Sequence, residues 1–429
     1  MKIAVIGTGY VGLTSGACLA KIGHQVICVD NNDEKIDMLN RGIMPIYEPG
    51  LKEIIEETVN ARRLSFTTDI QKAVRESTVC FVAVGTPPLE TGEPDLTYVE
   101  NVVRDIAANM NDYRLIVEKS TVPVQTSNWI RKTVERYCRT GVEFDIASNP
   151  EFLREGVAVQ DFLHPDRIVI GVESNRARDI MLEIYRPLNA PVIVTDIASA
   201  ELIKHASNAF LAMKISFINA VAVLCEAVGA DVRLVANGMG MDKRIVRDFL
   251  DAGLGYGGFC FPKDLRAFIR IAEKLGYDFR LLREVEKINE ETKQRFIQKI
   301  RGALWNLKNK NIGILGLSFK PNTDDMRFAP SIDIINALLA EGANIRAYDP
   351  QAMKNARRIF PQIEFCTSAE DVARDADLLA IITEWDEFKK LDLHLIKSKM
   401  RLPIICDGRN IYDRYQVEAL GFTYIGMGR

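Results

Sequence analysis

The sequence contains no pair of cysteines in the CxxC spacing that zinc sites and redox motifs use. Its eight cysteines are instead scattered along 429 residues, at positions 18, 28, 80, 138, 225, 260, 366 and 406. A long chain with unpaired cysteines is not a disulfide scaffold, and this spacing also argues against a zinc site. We therefore expect a protein of the reducing cytoplasm that holds no metal.

A strong excess of one charge is also missing. The formal net charge is -3, with 26% charged and 47% hydrophobic residues. Neither a nucleic-acid surface nor a polybasic membrane anchor is expected from this balance. The uncharged run from Ile3 to Ala20 approaches the ~20 residues that cross a bilayer. Glycines at positions 7, 9, 12 and 16 interrupt it and a strand pattern follows, so we do not interpret it as a targeting segment.

Short apolar runs alternate with amphipathic runs in the first half of the chain, which predicts a parallel α/β sheet. The predicted strands there are Lys2–Ile6, Gln25–Asp30, Thr78–Val84, Arg114–Lys119, Glu143–Ala147 and Arg167–Gly171. From Asp196 a single helix is predicted to about Val228, with more helix to about Leu250. The strand-then-glycine pattern returns at Ile312–Ser318, and the following strand again ends in an acidic residue, Asp349.

This organisation predicts two Rossmann-like parallel-sheet domains joined by a long central helix and a helical middle domain. The length allows about two or three domains at roughly 150 residues each. The expected divisions are a dinucleotide-binding domain at 1–195, a helical domain carrying the cysteine loop at 196–300, and a second Rossmann-like domain at 301–429. A helix as long as the central one spans more than one domain diameter and offers a dimer face.

A glycine-rich turn near the N-terminus predicts a dinucleotide site. Gly7-Thr-Gly-Tyr-Val-Gly12 follows a predicted strand and opens a helix, whose N-terminal NH groups face a pyrophosphate. Asp30 ends the next strand, where a carboxylate accepts bonds from ribose hydroxyls and repels a 2′-phosphate. NAD is therefore favoured over NADP. Thr86 and Thr121 follow two further strands and are candidate cofactor contacts, because open α/β sheets bind ligands at strand ends.

One cysteine lies in a different kind of context from the other seven. Gly255-Tyr-Gly-Gly-Phe-Cys-Phe-Pro-Lys-Asp264 places Cys260 in a glycine-dense segment with Lys263 and Asp264 just downstream. A thiolate is a strong nucleophile, and nearby cationic groups favour it. Together with the dinucleotide turn, this cysteine predicts an oxidation that passes through a thioester.

Six motifs occur in an order that matches a known family. They are Gly7–Gly12, Ser148–Gly156, Glu201–Asn208, the Cys260 segment, Leu317–Arg327 and Asp407–Arg409. On these motifs the chain resembles the UDP-glucose/GDP-mannose dehydrogenases from end to end. The resemblance implies oxidation of a sugar C6 alcohol to a carboxylate with two NAD per turnover and no release of the aldehyde.

The resemblance also implies the roles of the catalytic residues. Cys260 would trap the aldehyde as a thiohemiacetal, whose oxidation gives a thioester for hydrolysis. Lys204 and Asn208 are four residues apart on one helix face, where they would stabilise the oxyanion. Asp264 and Glu151 are the candidate carboxylates for proton transfer and water activation, and the sequence does not assign them to half-reactions. Thr121 would complete the catalytic set.

Further contacts follow from the same resemblance. Cofactor contacts are expected from Gly7, Gly9, Tyr10, Val11, Gly12, Asp30, Lys35, Thr86, Thr121, Glu155, Lys263 and Arg327. Substrate contacts are expected from Glu151, Phe152, Leu153, Arg154, Glu155, Lys204, Asn208, Arg244, Phe249, Leu250, Asp251, Ala252, Gly253, Gly257 and Lys320. Arg244 is expected to reach the sugar of a neighbouring subunit in a homodimer or larger assembly.

Three positions depart from the family pattern, and they bear on the choice of substrate. Phe259 stands where a small serine is common, Tyr256 where phenylalanine is common, and Phe328 where a polar residue is common. The Phe-Pro-Lys-Asp and Lys-Pro-Asn-Thr-Asp-Asp segments favour UDP-glucose. GDP-mannose or a UDP-N-acetylhexosamine is the alternative substrate.

Two other classes of protein fit the sequence less well. An NAD-binding regulatory protein that has lost catalysis is disfavoured because Cys260, Lys204, Asn208 and Asp264 are all intact. A hydroxyacid dehydrogenase without covalent chemistry would leave the cysteine segment without a role.

Overall fold

Strands and helices alternate through most of the chain in the computed structural model, which describes residues 1–89 and 91–429. The described residues divide into two units. The first contains Met1–Ser207 and Arg266–Leu275, and the second contains Asn208–Leu265 and Gly276–Arg429. Two of the divisions fall inside long helices, so each of these helices contributes side chains to both units.

The first unit is built from short strands, each followed by one or more helices. Its strands are β1 Lys2–Ile6, β2 Gln25–Val29, β3 Leu64–Thr67, β4 Val79–Val82, β5 Arg114–Glu118, β6 Phe144–Ser148, β7 Ile168–Val172 and β8 Val192–Thr195. Its helices are α1 Tyr10–Lys21, α2 Asp33–Asn40, α3 Leu51–Asn60, α4 Ile70–Glu76, α5 Thr97–Asn109, α6 Thr126–Tyr137, α7 Ala158–Leu163, α8 Asn175–Tyr185 and a 3-10 turn at Arg186–Leu188.

These strands form one eight-stranded sheet in the order β3-β2-β1-β4-β5-β6-β7-β8. Strands β4 and β5 are buried at every residue, as expected where helices cover both faces of a parallel sheet. The strand order reverses at β1, which pairs with β2 on one side and β4 on the other. Ligands of open α/β sheets bind outside the carboxyl ends of the strands at such a reversal.

The second unit combines helices with a smaller sheet. The helices from here on are α9 Ile197–Val228, α10 Val232–Gly240, α11 Cys260–Lys274, α12 Arg280–Leu304, α13 Pro330–Ala340, α14 Met353–Ile359, α15 Ala369–Ala373, α16 Asp386–Lys389, α17 Leu393–Lys399 and α18 Arg414–Ala419. The strands are β9 Asn311–Leu315, β10 Asn344–Tyr348, β11 Glu364–Phe365, β12 Leu378–Ile381, β13 Ile404–Asp407 and β14 Thr423–Gly426. They pair in parallel in the order β11-β10-β9-β12-β13-β14.

The predicted fold class is confirmed, with differences in three places. Strands β6 and β7 pair antiparallel, with Ala147 opposite Val172, because periodicity predicts a strand but not its direction. Helix α10 ends at Gly240, so the prediction of helix to about Leu250 is wrong. Val246 and Phe249 adopt φ values of 63° and 64°, which a right-handed helix cannot contain.

The third difference concerns Cys260. The prediction placed this residue in a loop. In the structure Cys260 is the first residue of α11. Pro262 is compatible with this start, because the first turn of a helix does not need the NH group that proline lacks.

Helix α9 is the one described helix long and apolar enough to cross a membrane by length and composition alone. Four polar side chains along it are nevertheless buried, namely Glu201, Lys204, His205 and Asn208. Each is hydrogen-bonded within its own unit. Because these charged and polar groups are buried against partners in the protein, we interpret the part of α9 up to Asn208 as packed within the fold rather than in lipid.

Candidate active site

The glycine turn after β1 has the geometry of a dinucleotide site. Gly7 adopts a φ of 102°, and a side chain at Gly12 would overlap the Gly7 carbonyl oxygen. A Cβ at Gly9, by contrast, would meet no atom within 4 Å among the described residues, its two chain neighbours aside. Helix α1 begins directly after Gly9, at Tyr10, and Gly9, its N-cap residue, has no side chain to cap it. The free space and uncapped NH groups fit the pyrophosphate of a dinucleotide.

Asp30 lies one residue beyond β2 and binds the same turn. Its carboxylate accepts hydrogen bonds from Thr8 N at 2.9 Å and Thr8 Oγ1 at 2.7 Å, and Lys35 Nζ lies at 2.9 Å. Burial raises the pKa of Asp30, but the bonds from Lys35 and Thr8 outweigh burial and lower it overall. Asp30 is therefore an ionised acceptor, as ribose recognition requires. Tyr10, another predicted contact, hydrogen-bonds Glu48.

The loops after β4 and β5 meet at two predicted threonines. Thr86 is buried, and its Oγ1 donates to the Thr121 carbonyl oxygen at 3.0 Å. The Ser120 hydroxyl donates to Val84 O at 2.9 Å. These bonds bring the two strand ends together on the side of the sheet where ligands bind.

Lys204 and Glu151 form a buried ion pair in the first unit. Lys204 Nζ lies 2.9 Å from Glu151 Oε1, and both side chains are 5% exposed. The second oxygen of Glu151 accepts from Leu153 N at 2.6 Å. The Lys204 ammonium also lies 5.4 Å from the centre of the Phe152 ring, on whose face Arg167 stacks. Three predicted residues, Glu151, Phe152 and Lys204, are thus in contact.

A second buried lysine supports this pair. Lys119 Nζ donates to Asn149 Oδ1 at 3.0 Å and to Asn149 O at 3.3 Å, two residues before Glu151. Burial lowers the pKa of Lys119 to about 8, with the positive charge of Lys204 acting in the same direction and the negative charge of Glu151 opposing it. Sequence reasoning assigned no role to Lys119, because a single lysine at the end of a strand usually reaches solvent.

Two further carboxyl groups lie buried in the same unit. Glu118 ends β5, and neither of its carboxyl oxygens makes a hydrogen bond of ordinary geometry within the described residues. Burial raises its pKa to about 8, with the charge of Glu201 adding to the rise and weak contacts with Ser120 opposing it. Burial likewise raises the pKa of Glu201 to about 7. At neutral pH Glu118 is therefore mainly protonated.

In the second unit, the glycines before Cys260 are required by packing within the protein. Gly255 and Gly258 adopt φ values of 80° and 77°. A side chain at Gly255 would overlap the Asn289 amide, and one at Gly257 would overlap Phe328 O. Asn289 also exchanges two hydrogen bonds with the backbone of Tyr256. The segment is therefore fixed by its own unit, and Asn289 of α12 is a supporting residue that sequence reasoning missed.

Asp264 follows the half-buried Cys260 by one helical turn and joins two other predicted residues. Asn208 Nδ2 donates to Asp264 Oδ2 at 2.6 Å, and Lys263 Nζ lies 3.2 Å from Asp264 Oδ1. All three side chains are buried. Lys263 compensates the charge of Asp264, and the carboxylate fixes the orientation of the Asn208 amide. The positive end of the α11 dipole favours negative charge at Cys260.

Phe259, which departs from the family pattern, lies close to two predicted cofactor contacts. The Lys263 ammonium lies 5.4 Å from its ring centre, and the Arg327 guanidinium lies 4.4 Å from it. Arg327 is also paired with Asp325 at 2.6 Å. The aromatic ring therefore orders two cations by cation–π attraction, which a serine at this position cannot do.

Other predicted substrate residues lie elsewhere in their units. Arg154 is paired with Asp161 at the surface, and Arg244 is 88% exposed and paired with Asp242. Within the run 249–253, Leu250 and Ala252 are buried, whereas Asp251 is exposed and paired with Arg247. Gly253 N donates to Asn219 Oδ1. Glu155, Leu153 and Lys320 are half-buried.

Arg409 is a further residue to which sequence reasoning assigned no role, although its motif was noted. It donates to Ile382 O at 2.8 Å, Gly255 O at 3.1 Å and Phe319 O at 3.3 Å. One guanidinium group thus joins the ends of β12 and β9 to the segment that precedes Cys260. Five donors in a rigid fork make arginine suited to this task.

Comparisons with known proteins agree with this geometry. Three parts of the UDP-glucose/GDP-mannose dehydrogenase family match the chain: the NAD binding domain at residues 1–189, the central domain at 198–291 and the UDP binding domain at 313–414. The fold and the dinucleotide turn define an NAD-dependent dehydrogenase class. More particularly, the chain belongs to the UDP-glucose/GDP-mannose dehydrogenase family.

Relatives match over the whole length. The UDP-glucose 6-dehydrogenase TuaD of Bacillus subtilis is 47% identical over all of this chain and 93% of its own length. The UDP-glucose 6-dehydrogenase of Rhizobium meliloti is 46% identical, with both chains fully covered. A solved UDP-glucose dehydrogenase from Pyrobaculum islandicum is 38% identical, with a TM-score of 0.93 over 99% of this chain and 97% of that one.

The buried carboxyl group of Glu118 predicts an unusual pH dependence of stability. Its pKa is about 8 in the folded protein and about 4.5 when exposed. Between these values the unfolded state ionises and the folded state does not, so this group lowers stability as pH rises. We expect the Tm of Glu118→Gln minus that of wild type to increase by several degrees as the pH is raised from 5.5 to 8.5. Thermal unfolding at each pH measures this difference.

The matched control is Glu135→Gln, which changes an exposed glutamate of α6 in the same unit. Its Tm difference from wild type should stay constant with pH. If the Tm difference between Glu118→Gln and wild type is equally independent of pH, the assignment of a protonated, buried carboxyl group is contradicted.

Proposed function

We propose that this protein is an NAD-dependent UDP-glucose 6-dehydrogenase, which oxidises the C6 alcohol of UDP-glucose twice to give UDP-glucuronate. The observation that carries this proposal is the arrangement around Cys260. A half-buried thiol begins a helix, and one turn later Asp264 orients the amide of Asn208. The names of the full-length relatives support the choice of substrate.

The chain's own residues fit the cofactor. Gly7, Gly9 and Gly12 leave a turn that would hold the pyrophosphate, and ionised Asp30 would accept bonds from the adenosine ribose. When bound, NAD accepts the two electrons and the hydrogen of a hydride ion in each half-reaction. Phe259 orders Lys263 and Arg327, two cations proposed to contact the cofactor.

The first oxidation needs a group that stabilises negative charge on the C6 oxygen. We assign this role to Lys204 and Asn208, which project from α9 one helical turn apart. Glu151 holds the Lys204 ammonium, and Asp264 holds the Asn208 amide. Preorganised donors of this kind stabilise a developing oxyanion without reorganising during the reaction.

Cys260 then takes part covalently. Its Sγ attacks the C6 aldehyde, forming a carbon–sulfur bond while the carbonyl oxygen gains a proton. Loss of the remaining C6 hydride and of that proton leaves a thioester. Water adds to the acyl carbon, the carbon–sulfur bond breaks, and the sulfur leaves as the thiolate that began the cycle. Asp264 and Glu151 are the carboxylates proposed to carry protons in these steps.

A sister sugar nucleotide is the second candidate substrate. The solved UDP-D-ManNAc dehydrogenase from Pyrococcus horikoshii is 29% identical to this chain, with a TM-score of 0.89 over all of this chain and 99% of that one. That identity is lower than the 47% and 46% shared with the UDP-glucose relatives. The comparison therefore favours UDP-glucose.

We also propose that two or more copies associate through α9. Phe210, Phe217 and Leu224 are spaced by seven residues, which places them on one helix face, and they are 58%, 50% and 65% exposed. Large apolar side chains repeated in this way favour burial against a second copy.

Association through this face is tested by replacing Phe217 with glutamate. The charge would be buried in the interface, so we expect the mass measured by light scattering to fall to that of one chain. The control is Tyr137→Glu, an exposed aromatic of α6, which should leave the mass of the assembly unchanged. An unaltered mass for Phe217→Glu would contradict this interface.

The proposed reaction is tested by measuring NADH formed from UDP-glucose. We expect two NADH per UDP-glucose consumed, and a higher kcat/KM than with GDP-mannose or UDP-N-acetylhexosamines. Cys260→Ser should lower turnover about a hundredfold or more while NAD still binds, because a hydroxyl is a far weaker nucleophile than a thiolate.

Cys138→Ser is the matched control, since Cys138 is the other half-buried cysteine. This variant should keep wild-type activity. One NADH per sugar, or a fully active Cys260→Ser protein, would contradict the covalent mechanism. A higher kcat/KM with another sugar nucleotide would identify that nucleotide, and not UDP-glucose, as the substrate.

A further inference from the structure

We infer that Glu201 and His205 are positioning residues that fix the backbone of residues 121–127, and through it Thr121. We call these two side chains the α9 clamp. The inference rests on the proposed function, in which Thr121 contacts the reacting groups. It adds two residues of the first unit to the machinery, neither of which touches substrate or cofactor in this account.

The first half of the clamp is the carboxylate of Glu201. One oxygen accepts from Gln125 N at 2.6 Å, and the other lies 3.4 Å from Ser127 N. Helix α6 begins at Thr126, and Gln125, its N-cap residue, makes no side-chain cap bond. The first NH groups of a helix lack partners within the helix. Here Glu201, which is 76 positions from Gln125 in the sequence, provides the hydrogen-bond acceptors.

The second half is the imidazole of His205. Its Nε2 lies 2.7 Å from the Val122 carbonyl oxygen, so this nitrogen carries the hydrogen. The ring packs near Phe268, with 5.8 Å between ring centres. Glu201 and His205 are four residues apart on α9, so both face the same segment. An acceptor and a donor on one helix thus bind both ends of the run 122–127.

The segment itself needs such support. Gln125 adopts a φ of 73°, a conformation that residues other than glycine rarely adopt. Conformations of this kind persist only where the surroundings hold them. In addition, Thr86 Oγ1, in the loop after β4, donates to the Thr121 carbonyl oxygen. Thr121 is therefore held between the β4 loop and the α9 clamp.

The clamp also explains how α9 couples two loops. Lys204 lies between the two clamp residues in sequence and binds Glu151, in the loop after β6. Glu201 and His205 bind the loop after β5. Helix α9 therefore fixes the loops after β5 and β6 relative to Lys204, which projects from the same helix.

A double-mutant cycle tests whether Glu201 acts through Thr121. Glu201→Gln and Thr121→Ala are each expected to lower kcat/KM for UDP-glucose, roughly tenfold or more, since small displacements of reacting groups are costly. The double variant should be no slower than the slower single variant, because both changes remove the same contribution. If the losses of kcat/KM in the two single variants multiply in the double variant, the inference is overturned. Full activity in either single variant would also overturn it.

Two variants of His205 provide a separate test, which remains informative if the Glu201 variant fails to fold. His205→Gln keeps an NH donor for Val122 O, whereas His205→Phe keeps a ring beside Phe268 but no donor. We expect His205→Gln to be the more active variant by several-fold. Equal activities would overturn the role of this hydrogen bond. Asp69→Ala, which removes the N-cap of α4, is the control and should keep wild-type kcat/KM.

Amide hydrogen exchange separates failure of the clamp from failure of the proposed function. In Glu201→Gln, residues 122–128 should exchange several-fold faster than in wild type, while the middle of α9 is unchanged. Unchanged exchange in this segment would overturn the clamp whatever the substrate is. A wild-type protein that makes no NADH from any sugar nucleotide would instead overturn the proposed function, with the exchange result still deciding the clamp.

Discussion

Buried charge on a long apolar helix is the constraint on which the rest of this structure depends. Helix α9 carries Glu201, Lys204, His205 and Asn208 within two turns, and all four side chains are buried. An ion taken out of water is costly unless a partner of opposite charge or several hydrogen bonds replace the water. The loops after β5 and β6 and the start of α11 contain those partners.

Stability alone does not explain why these charges are retained. Replacing a buried ion pair by apolar side chains of similar volume is often neutral or stabilising, whereas removing one partner costs about 3–5 kcal/mol. Lys204 and Glu151 are each 5% exposed, so this argument applies to them directly. A cation held among apolar neighbours acts more strongly on a nearby oxyanion than one in water. Function is therefore the better explanation for the pair.

The predictable features of the site were those whose conformation or spacing is set by nearby residues in the sequence. The glycine turn at Gly7–Gly12 and the strand that ends before Asp30 follow from spacing and short-range conformation. The four-residue spacing of Lys204 and Asn208 follows from helix geometry. The segment before Cys260 stands out because several glycines surround one nucleophile. Its place at a helix start was not predicted, since glycine-dense stretches usually indicate loops.

Contacts that depend on tertiary packing were not predictable, even where the residues that make them were predicted. Glu201 binds the start of α6 across 76 residues, and Lys204 binds Glu151 across 53. The pKa values of Glu118 and Lys119 are shifted mainly by burial, and a charged residue at a strand end gives no sign of that burial in the sequence. The positive φ values of Val246 and Phe249 were likewise not predictable, because residues other than glycine rarely adopt them.

We propose that the buried Lys204–Glu151 pair is retained for catalysis. The most direct measurement compares the wild-type protein with a Lys204→Met/Glu151→Leu double variant, in which both charges are removed together. We predict a Tm within a few degrees of wild type, or above it, with NADH formation from UDP-glucose abolished. A double variant that forms NADH at the wild-type rate would contradict the account.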